Sequence, residues 1–343
     1  MLKDEYKGKK VFISGITGFK GSWMAILLNK LGANVSGLGL PQEEKETIFY
    51  QGDVRSIAKV FYQNLRDEFP TSLKNEISTS DYVFHFAAQP IVSEGYRDPY
   101  GTLDTNVMGT VKMLELVKNT DHPLSFLSVA SDRVYASVDH AHVETDQLVG
   151  YEQYSISKFF DNMLVDMYAQ MDGVSPLLRL VNARASNVIG GGDKGLNRIV
   201  TSITDAAHKG EVLKLRNPAF VRPYLYVLDC LSQYLYIAAY GEEKAYNIGT
   251  DDNKTSVSVD ALVKSFTKLG YPGLTYNDSG EKFGFEGNVL MVNADLFHNE
   301  FPNSKSIAQN IDDVVMRILK VNESKDYKAD INDLINEAIL NLN

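Results

Sequence analysis

The apolar and polar positions near the start of the chain fall into a readable order. Lys10-Val11-Phe12-Ile13-Ser14 is a short apolar run, Gly15-Ile16-Thr17-Gly18 a glycine turn, Phe19 to Leu31 an apolar run with helical spacing, and Ala33 to Leu38 a second short run. Gly32 stands just past the last periodic residue, where a helix commonly ends in a left-handed glycine. Strand, turn, helix and strand follow one another, which predicts a βαβ unit. Further on, Tyr82 to Ala88 and Leu124 to Val129 are apolar runs separated by a helical stretch around Thr105 to Lys118. A third run, Pro176 to Val181, follows a helix that begins near Gln153. Strands alternating with helices predict a parallel sheet covered on both faces.

Beyond about residue 185 the rhythm changes to glycine and asparagine turns, longer loops and separate amphipathic helices, notably Ser258 to Leu269 and Ile307 to Leu319. The expected fold is therefore α/β: a doubly wound (Rossmann) parallel sheet over residues 1–185, with a smaller C-terminal α/β substrate lobe over 186–343. Segments near 222–250 are expected to return to the first unit. The lobe should close over the carboxyl edge of the sheet, where ligands of such folds bind. The acidic and lysine-rich tail from Asn322 to Asn343 reads as a solvated terminal helix.

Composition narrows the function. With 34 basic and 44 acidic residues the formal charge is −10, which argues against a nucleic-acid surface and leaves room for a local basic pocket. Cys230, the single cysteine, excludes an intramolecular disulfide and reads as a small buried hydrophobe in a reducing compartment. No stretch approaches the ~18–20 apolar residues that span a bilayer, and a cytoplasmic location is expected.

Two patterns carry chemistry. Gly15-Ile16-Thr17-Gly18-Phe19-Lys20-Gly21 spaces its glycines G-x-x-G-x-x-G between a strand and a helix, so backbone amides and the helix N-terminus can meet a pyrophosphate. The second strand ends in Leu38-Gly39-Leu40, with neither an acid for the ribose hydroxyls nor an arginine for a 2′-phosphate, and NAD is favoured over NADP. Asp53, in Gly52-Asp53-Val54-Arg55, is expected to bind the adenine ring or to serve only as a turn former. The second pattern is Tyr154-Ser155-Ile156-Ser157-Lys158, which places a phenol and an ammonium on one helical face. A nearby ammonium favours the phenolate, as a base for an alcohol requires. Tyr6 to Lys10 has the same spacing but lies in a charged lead-in. Ser131, at the end of the strand before the helix, can hold the substrate oxygen.

These phrases together with Ala87-Ala88-Gln89-Pro90, Asn106-Val107-Met108-Gly109-Thr110 and Ser131-Asp132 resemble an extended short-chain dehydrogenase/reductase. The chain is similar along nearly its whole length to one branch, the CDP-glucose 4,6-dehydratases. The branch phrases are Gly18 to Trp23, His85 to Pro90, Asn187 to Asp193 and Arg222-Pro223-Tyr224.

The resemblance implies oxidation of a nucleotide-linked sugar at C4 by NAD, loss of water across C5 and C6, and return of the hydride to C6. It implies Tyr154 as base with Lys158 and Ser131, and Asp132 as the acid for the departing C6 hydroxyl. It implies cofactor contacts from Gly15, Thr17, Gly18, Phe19, Lys20, Gly21, Asp53, Val54, Ala87, Ala88, Gln89 and Asn106, besides Tyr154 and Lys158. Sugar-nucleotide contacts would come from Gln89, Ser131, Asn187, Arg198, Arg222 and Tyr224. Where the branch carries a lysine after the aspartate, and other hexose dehydratases a glutamate, this chain has Arg133, whose guanidinium is a poor base.

Three readings follow: dehydratase; a nucleotide-sugar epimerase or other 4-keto enzyme without elimination; and a non-catalytic NAD-binding sensor. Members of the family typically pair through two helices, here Asp104 to Lys118 and Gln153 to Met171, which implies a homodimer or dimer of dimers. No metal site is expected, His140-Ala141-His142 being read as a solvent-exposed pair.

Overall fold

The computed structural model describes residues 2–136, 140–250, 254–280 and 291–342. Seven parallel strands form the main sheet: β1 (Lys10–Ser14), β2 (Asn34–Gly39), β3 (Lys59–Tyr62), β4 (Tyr82–His85), β5 (Leu124–Ser131), β6 (Leu178–Ala185) and, from much later in the chain, β10 (Ala245–Ile248). Their order across the sheet is β10-β6-β5-β4-β1-β2-β3, so the sheet reverses direction between β1 and β4. Doubly wound sheets leave a crevice at such a reversal. A second sheet joins β7 (Asn187–Ile189), β9 (Val221–Tyr226) and β11 (Ser256–Ser258), and a third pairs β8 (Leu213–Leu215) with β12 (Tyr276–Asp278). The fold is α/β and doubly wound, as the alternating pattern predicts.

The first unit forms where the apolar pattern places it. Helix Phe19–Lys30 ends in a reverse turn at Gly32, which takes a φ of 84° while Ala33 N donates back to Leu28 O at 3.0 Å. Strand β5 runs two residues beyond its apolar run, and that extension makes Ser131 its last residue. The helical stretch around Thr105 is longer than expected. It opens with Pro99–Leu103, capped by Asp98 accepting from Gly101 N, then widens into one π turn over Asp104–Met108 before Gly109–Val117.

The chain beyond residue 300 departs from the sequence reading. The helix expected from Ile307 begins at Ile311, because the Ile307 and Ala308 amides donate to the buried Asp229 carboxyl and Asn310 caps the following turn. The tail is not a solvated helix. Tyr327–Leu340 buries Ile331, Leu334, Ile335 and Ala338 and packs on helices Phe19–Lys30 and Val227–Tyr240. Its apolar residues recur at helical spacing between charges, which gives a narrow buried stripe. Cys230 lies fully buried on helix Val227–Tyr240. Among the described residues no helix is long and apolar enough to cross a membrane.

One buried group ties the strands of the reversal together. His85, the last residue of β4, sits between Ser14 Oγ at 2.6 Å from Nδ1 and Thr110 Oγ1 at 3.1 Å from Nε2. Burial, and then the charge of Lys158, push its imidazole down to about 3, so the folded protein keeps it neutral. The unfolded chain binds the proton below the ordinary histidine value near 6.5, and the folded chain does not until about 3. Stability carried by His85 is therefore complete above that value and lost as the pH falls through this window. Urea unfolding at pH 8 and pH 5 should show His85 contributing a loss of about 2 kcal/mol to the wild type, and a smaller loss in His85→Gln.

Candidate active site

A cleft of about 860 Å³ opens along the carboxyl ends of β1, β2, β3, β4 and β5 and is closed on its far side by β7, β8 and β9. The glycine loop forms its floor. Gly15 has a φ of 79°, and a Cβ there would come within 2.9 Å of Ala87 N. A Cβ on Gly21 would overlap the Gly15 carbonyl oxygen, so the first turn of helix Phe19–Lys30 can lie against the loop only without one. That helix has Gly18 as its N-cap, and its opening amides have no acceptor within the helix. They face the cleft with Gly15, Thr17, Phe19 and Lys20, which all line it. The Lys20 ammonium stands 6.0 Å from the Phe86 ring centre and 5.9 Å from that of Tyr234. Burial is the main cause of its shift down to about 8.

Ser131, Asp132 and Arg133 turn out of β5 into the cleft. Ser131 Oγ accepts from Arg133 N and stands 3.2 Å from Asp132 Oδ1. Asp132 is buried, and among the described residues its Oδ2 has no partner within hydrogen-bond geometry, the Ser186 hydroxyl being the group that faces it. Burial is the main cause that raises its carboxyl above the usual range, against the opposing charge of Arg133. Tyr154 is fixed by the cap of helix Gln153–Tyr168: Glu152 accepts from Tyr154 N at 2.7 Å and from Ser155 N at 2.9 Å, while Ser155 Oγ accepts from Glu152 N. This capping box holds the phenol at the helix's first turn. One turn later Lys158 is buried, its Nζ donating to Val129 O at 3.2 Å and to Asp161 Oδ2 at 2.9 Å. Burial alone would lower the Lys158 ammonium, but Asp161 and then Tyr154 outweigh it and the net shift is upward.

On the opposite wall are Asn187 on β7, Arg198 at the start of helix Ile199–Lys209, and Arg222 and Tyr224 on β9. Arg222 and Tyr224 alternate along the strand and so share a face. Burial pushes the Tyr224 phenol up to about 12. Lys214 and Arg216 join this wall from β8 and the turn after it, which the sequence reading missed. The alternation Leu213-Lys214-Leu215-Arg216, two buried leucines alternating with two basic residues, was the available signal.

Four of the residues expected at the cofactor do not line the cleft. Asp53 caps a short helix with a φ of 51° and pairs with Lys328 at 2.9 Å, and Val54 is wholly buried in the core. The cleft residues at the adjoining sheet edge are instead Gln63, Asn64 and Leu65, which follow β3. Gln89 is committed locally: its Nε2 donates to Thr102 Oγ1 at 2.8 Å and its Oε1 accepts from Ile91 N at 2.6 Å. Asn106, inside the π turn, accepts from Gln89 N and donates to Ser157 Oγ, pinning the β4 loop to the Tyr154 helix. Ala87 and Ala88 do line the cleft.

Of the histidine pair expected to be solvent-exposed, His140 is exposed and His142 is not. His142 is buried, stacks on Tyr135 with ring centres 4.5 Å apart, and shares Asp146 Oδ2 with His140 at 2.9 and 3.0 Å.

Comparison with known proteins matches residues 12–282 to the family described as GDP-mannose 4,6 dehydratase. CDP-glucose 4,6-dehydratase of Salmonella typhimurium is 30% identical over 309 residues, covering 84% of each chain. Among solved structures, TunA, an NAD-dependent NDP-hexosamine 5,6-dehydratase of tunicamycin biosynthesis, superposes with a TM-score of 0.79 at 18% identity, over 93% of this chain and 99% of that one. UDP-glucuronic acid 4-epimerase from Bacillus cereus, in complex with UDP-glucuronic acid and NAD, gives a TM-score of 0.75 at 18% identity, over 94% and 99%. On the match across most of its length, the chain belongs to the GDP-mannose 4,6-dehydratase family.

Proposed function

We propose that this chain is a cytoplasmic, NAD-dependent nucleotide-sugar 4,6-dehydratase, that its substrate is CDP-glucose, and that it works as a homodimer. The observation that carries the reading is Asp132. A carboxyl that is buried and raised, with no partner within hydrogen-bond geometry at Oδ2 among the described residues, stands beside Ser131 in a cleft that also holds Tyr154 and Lys158. Likeness to the Salmonella enzyme supports cytidine and glucose.

The residues present fit NAD: the Gly15 to Gly21 turn has no room for a side chain at Gly21, and its amides face the cleft. Held on the Gly15 to Gly21 turn, NAD would supply the oxidant for C4 and the source of the hydride for C6. Tyr154 removes the C4 hydroxyl proton, Ser131 holds that oxygen, and the Lys158 ammonium favours the phenolate. Arg198, Lys214, Arg216 and Arg222 supply positive charge for the substrate diphosphate. The ketone at C4 acidifies the C5 proton. Water in the cleft takes the C5 proton and returns it when the hydride reaches C6, Arg133 stabilises the enolate charge, and Asp132 protonates the C6 hydroxyl, which departs as water. The acid form of Asp132 is required, so water loss declines as the pH rises through its raised value.

A second reading has an observation of its own. The described residues lining the cleft bring two carboxylates, Asp132 and Asp193, and Asp193 Oδ1 accepts from Gly195 N. With arginine at 133 no second base adjoins Asp132, which favours an epimerase-like reaction that passes through the ketone without elimination.

The dimer rests on an exposed apolar stripe. Phe160, Met163, Met167 and Met171 lie 38–48% exposed along and just beyond the Tyr154 helix, beside Tyr100 and Met108 at 78% and 55%. A patch of this kind marks an interface.

Mass spectrometry of CDP-glucose incubated with protein and NAD should show loss of one water. Asp132→Asn should slow that loss by about 10²–10⁴-fold, and Arg133→Lys should retain it. An isomeric product of unchanged mass from the wild type would select the second reading. Light scattering should give twice the chain mass for the wild type and the single-chain mass for Met163→Glu with Met167→Glu; single-chain mass for the wild type would remove the dimer.

A further inference from the structure

The Lys158 ammonium does not face Tyr154 alone. Its Nζ lies 2.9 Å from Asp161 Oδ2, and the two side chains are 5% and 1% exposed. A carboxylate three residues on from the lysine is thus enclosed beneath the Tyr154–Lys158 pair. A negative charge is costly to bury without donors, and Asp161 has two: Lys158 Nζ at Oδ2 and Thr110 Oγ1 at 3.0 Å from Oδ1. Thr110 is itself reached by His85 Nε2, and His85 Nδ1 by Ser14 Oγ, which also accepts from Ala87 N at 3.1 Å. The Nε2–H tautomer of His85 satisfies every member, with hydroxyl and ring protons pointing from Ser14 toward Asp161. Thr110 divides its proton between Asp161 and Asn106 O at 2.7 Å. The line runs from the end of β1, beside the glycine loop, to the lysine.

We propose that Asp161 is a positioning residue for the reaction: its carboxylate fixes Lys158 Nζ against β5 and offsets part of the ammonium's field at the Tyr154 phenol. The inference rests on the reading of Tyr154 as the base.

The offset follows from Coulomb's law. Lys158 interacts electrostatically with Tyr154, whereas Asp161 acts on Lys158 three residues farther along the helix, so the carboxylate cancels some of the favourable field and leaves the rest. Other titratable groups face the pair: Tyr154 on the same helix, Lys20 from helix Phe19–Lys30, whose ammonium is lowered in part by Lys158, and the neutral His85 from β4. On the next residue, Asn162 Oδ1 accepts from Arg184 Nε of β6, which leaves Asp161 to Lys158 and Thr110. Burial pushes the Asp161 carboxyl up and Lys158 opposes it. Two donors on the carboxylate and two acceptors on the ammonium favour the charged pair.

The test is the ionisation midpoint of Tyr154 in the full-length protein with NAD added. It is followed by ¹³C NMR of tyrosine labelled at Cζ, the resonance being assigned by its loss in Tyr154→Phe. Asp161→Asn keeps the shape and removes the charge, and should lower the midpoint by about one pH unit. Asp161→Glu restores the charge and should return the midpoint most of the way. If the asparagine variant does not fold, Asp161→Ser removes the same charge and leaves room for a water between Lys158 and Thr110; it should shift the midpoint in the same direction. A role confined to stability would move the unfolding temperature and leave the midpoint where it is, and an unchanged midpoint in the asparagine or serine variant overturns the inference. The reading beneath it fails separately: undiminished turnover of CDP-glucose by Tyr154→Phe removes the base while the midpoint shift still stands. A Tyr154 resonance that titrates in no variant overturns both.

Discussion

Gly21 packs its Cα onto the carbonyl of Gly15, an approach that no side chain permits. The position of helix Phe19–Lys30 follows from that contact, and much else follows from the helix. Its opening amides point into the crevice where the sheet reverses. Trp23, two residues on, donates to Gly191 O at 3.0 Å and thereby ties the helix to the loop after β7. The C-terminal helix Tyr327–Leu340 then packs on the same helix from outside. The dinucleotide floor and the opposite wall of the cleft are thus held in register by one close backbone contact.

The cleft also reconciles a charge of −10 with a ligand bearing phosphates. Arg198, Lys214, Arg216 and Arg222 come from three different elements and meet on one wall, while the carboxylates of the lining are buried. Long-range charge sets solubility and encounter, whereas local field sets what can dock. Four cations on this wall make the field inside the cleft positive whatever the chain's total.

How much could be read in advance depended on how local the determinant was. The βαβ unit was legible because its apolar period and its glycines lie within about thirty consecutive residues. Ser131, Tyr154 and Lys158 were legible as a set because a strand end and a helix start are both marked in the sequence. Asp53 and Val54 do not line the cleft, whose residues at that edge follow β3, a four-residue, partly exposed edge strand whose apolar run, Val60-Phe61-Tyr62, is too short to stand out. Gln89 and Asn106 carry the right residue types but spend their hydrogen bonds on each other and on Thr102 and Ser157. The tail was misread because four buried residues among many charges give a weak pattern, and only the surface they meet shows that the stripe is buried. Asp161 looks like any surface acid in a helix until β4, the π turn and the helix after it close around it.

Gly39 bears on how such a chain changes cofactor. A side chain at this position, at the end of β2, would overlap Thr17 Oγ1, and Thr17 is itself buried in the glycine loop. The place where many dinucleotide enzymes keep a ribose-binding acid is therefore closed to any residue larger than glycine. Room for a larger or charged side chain lies instead at Leu40, which is 53% exposed, and at Gln42, whose amide reaches Thr17 Oγ1 at 3.4 Å. Selection for a phosphorylated ribose would be channelled into that exposed loop, where substitutions leave the sheet untouched, and the strand's terminal glycine would persist through the change.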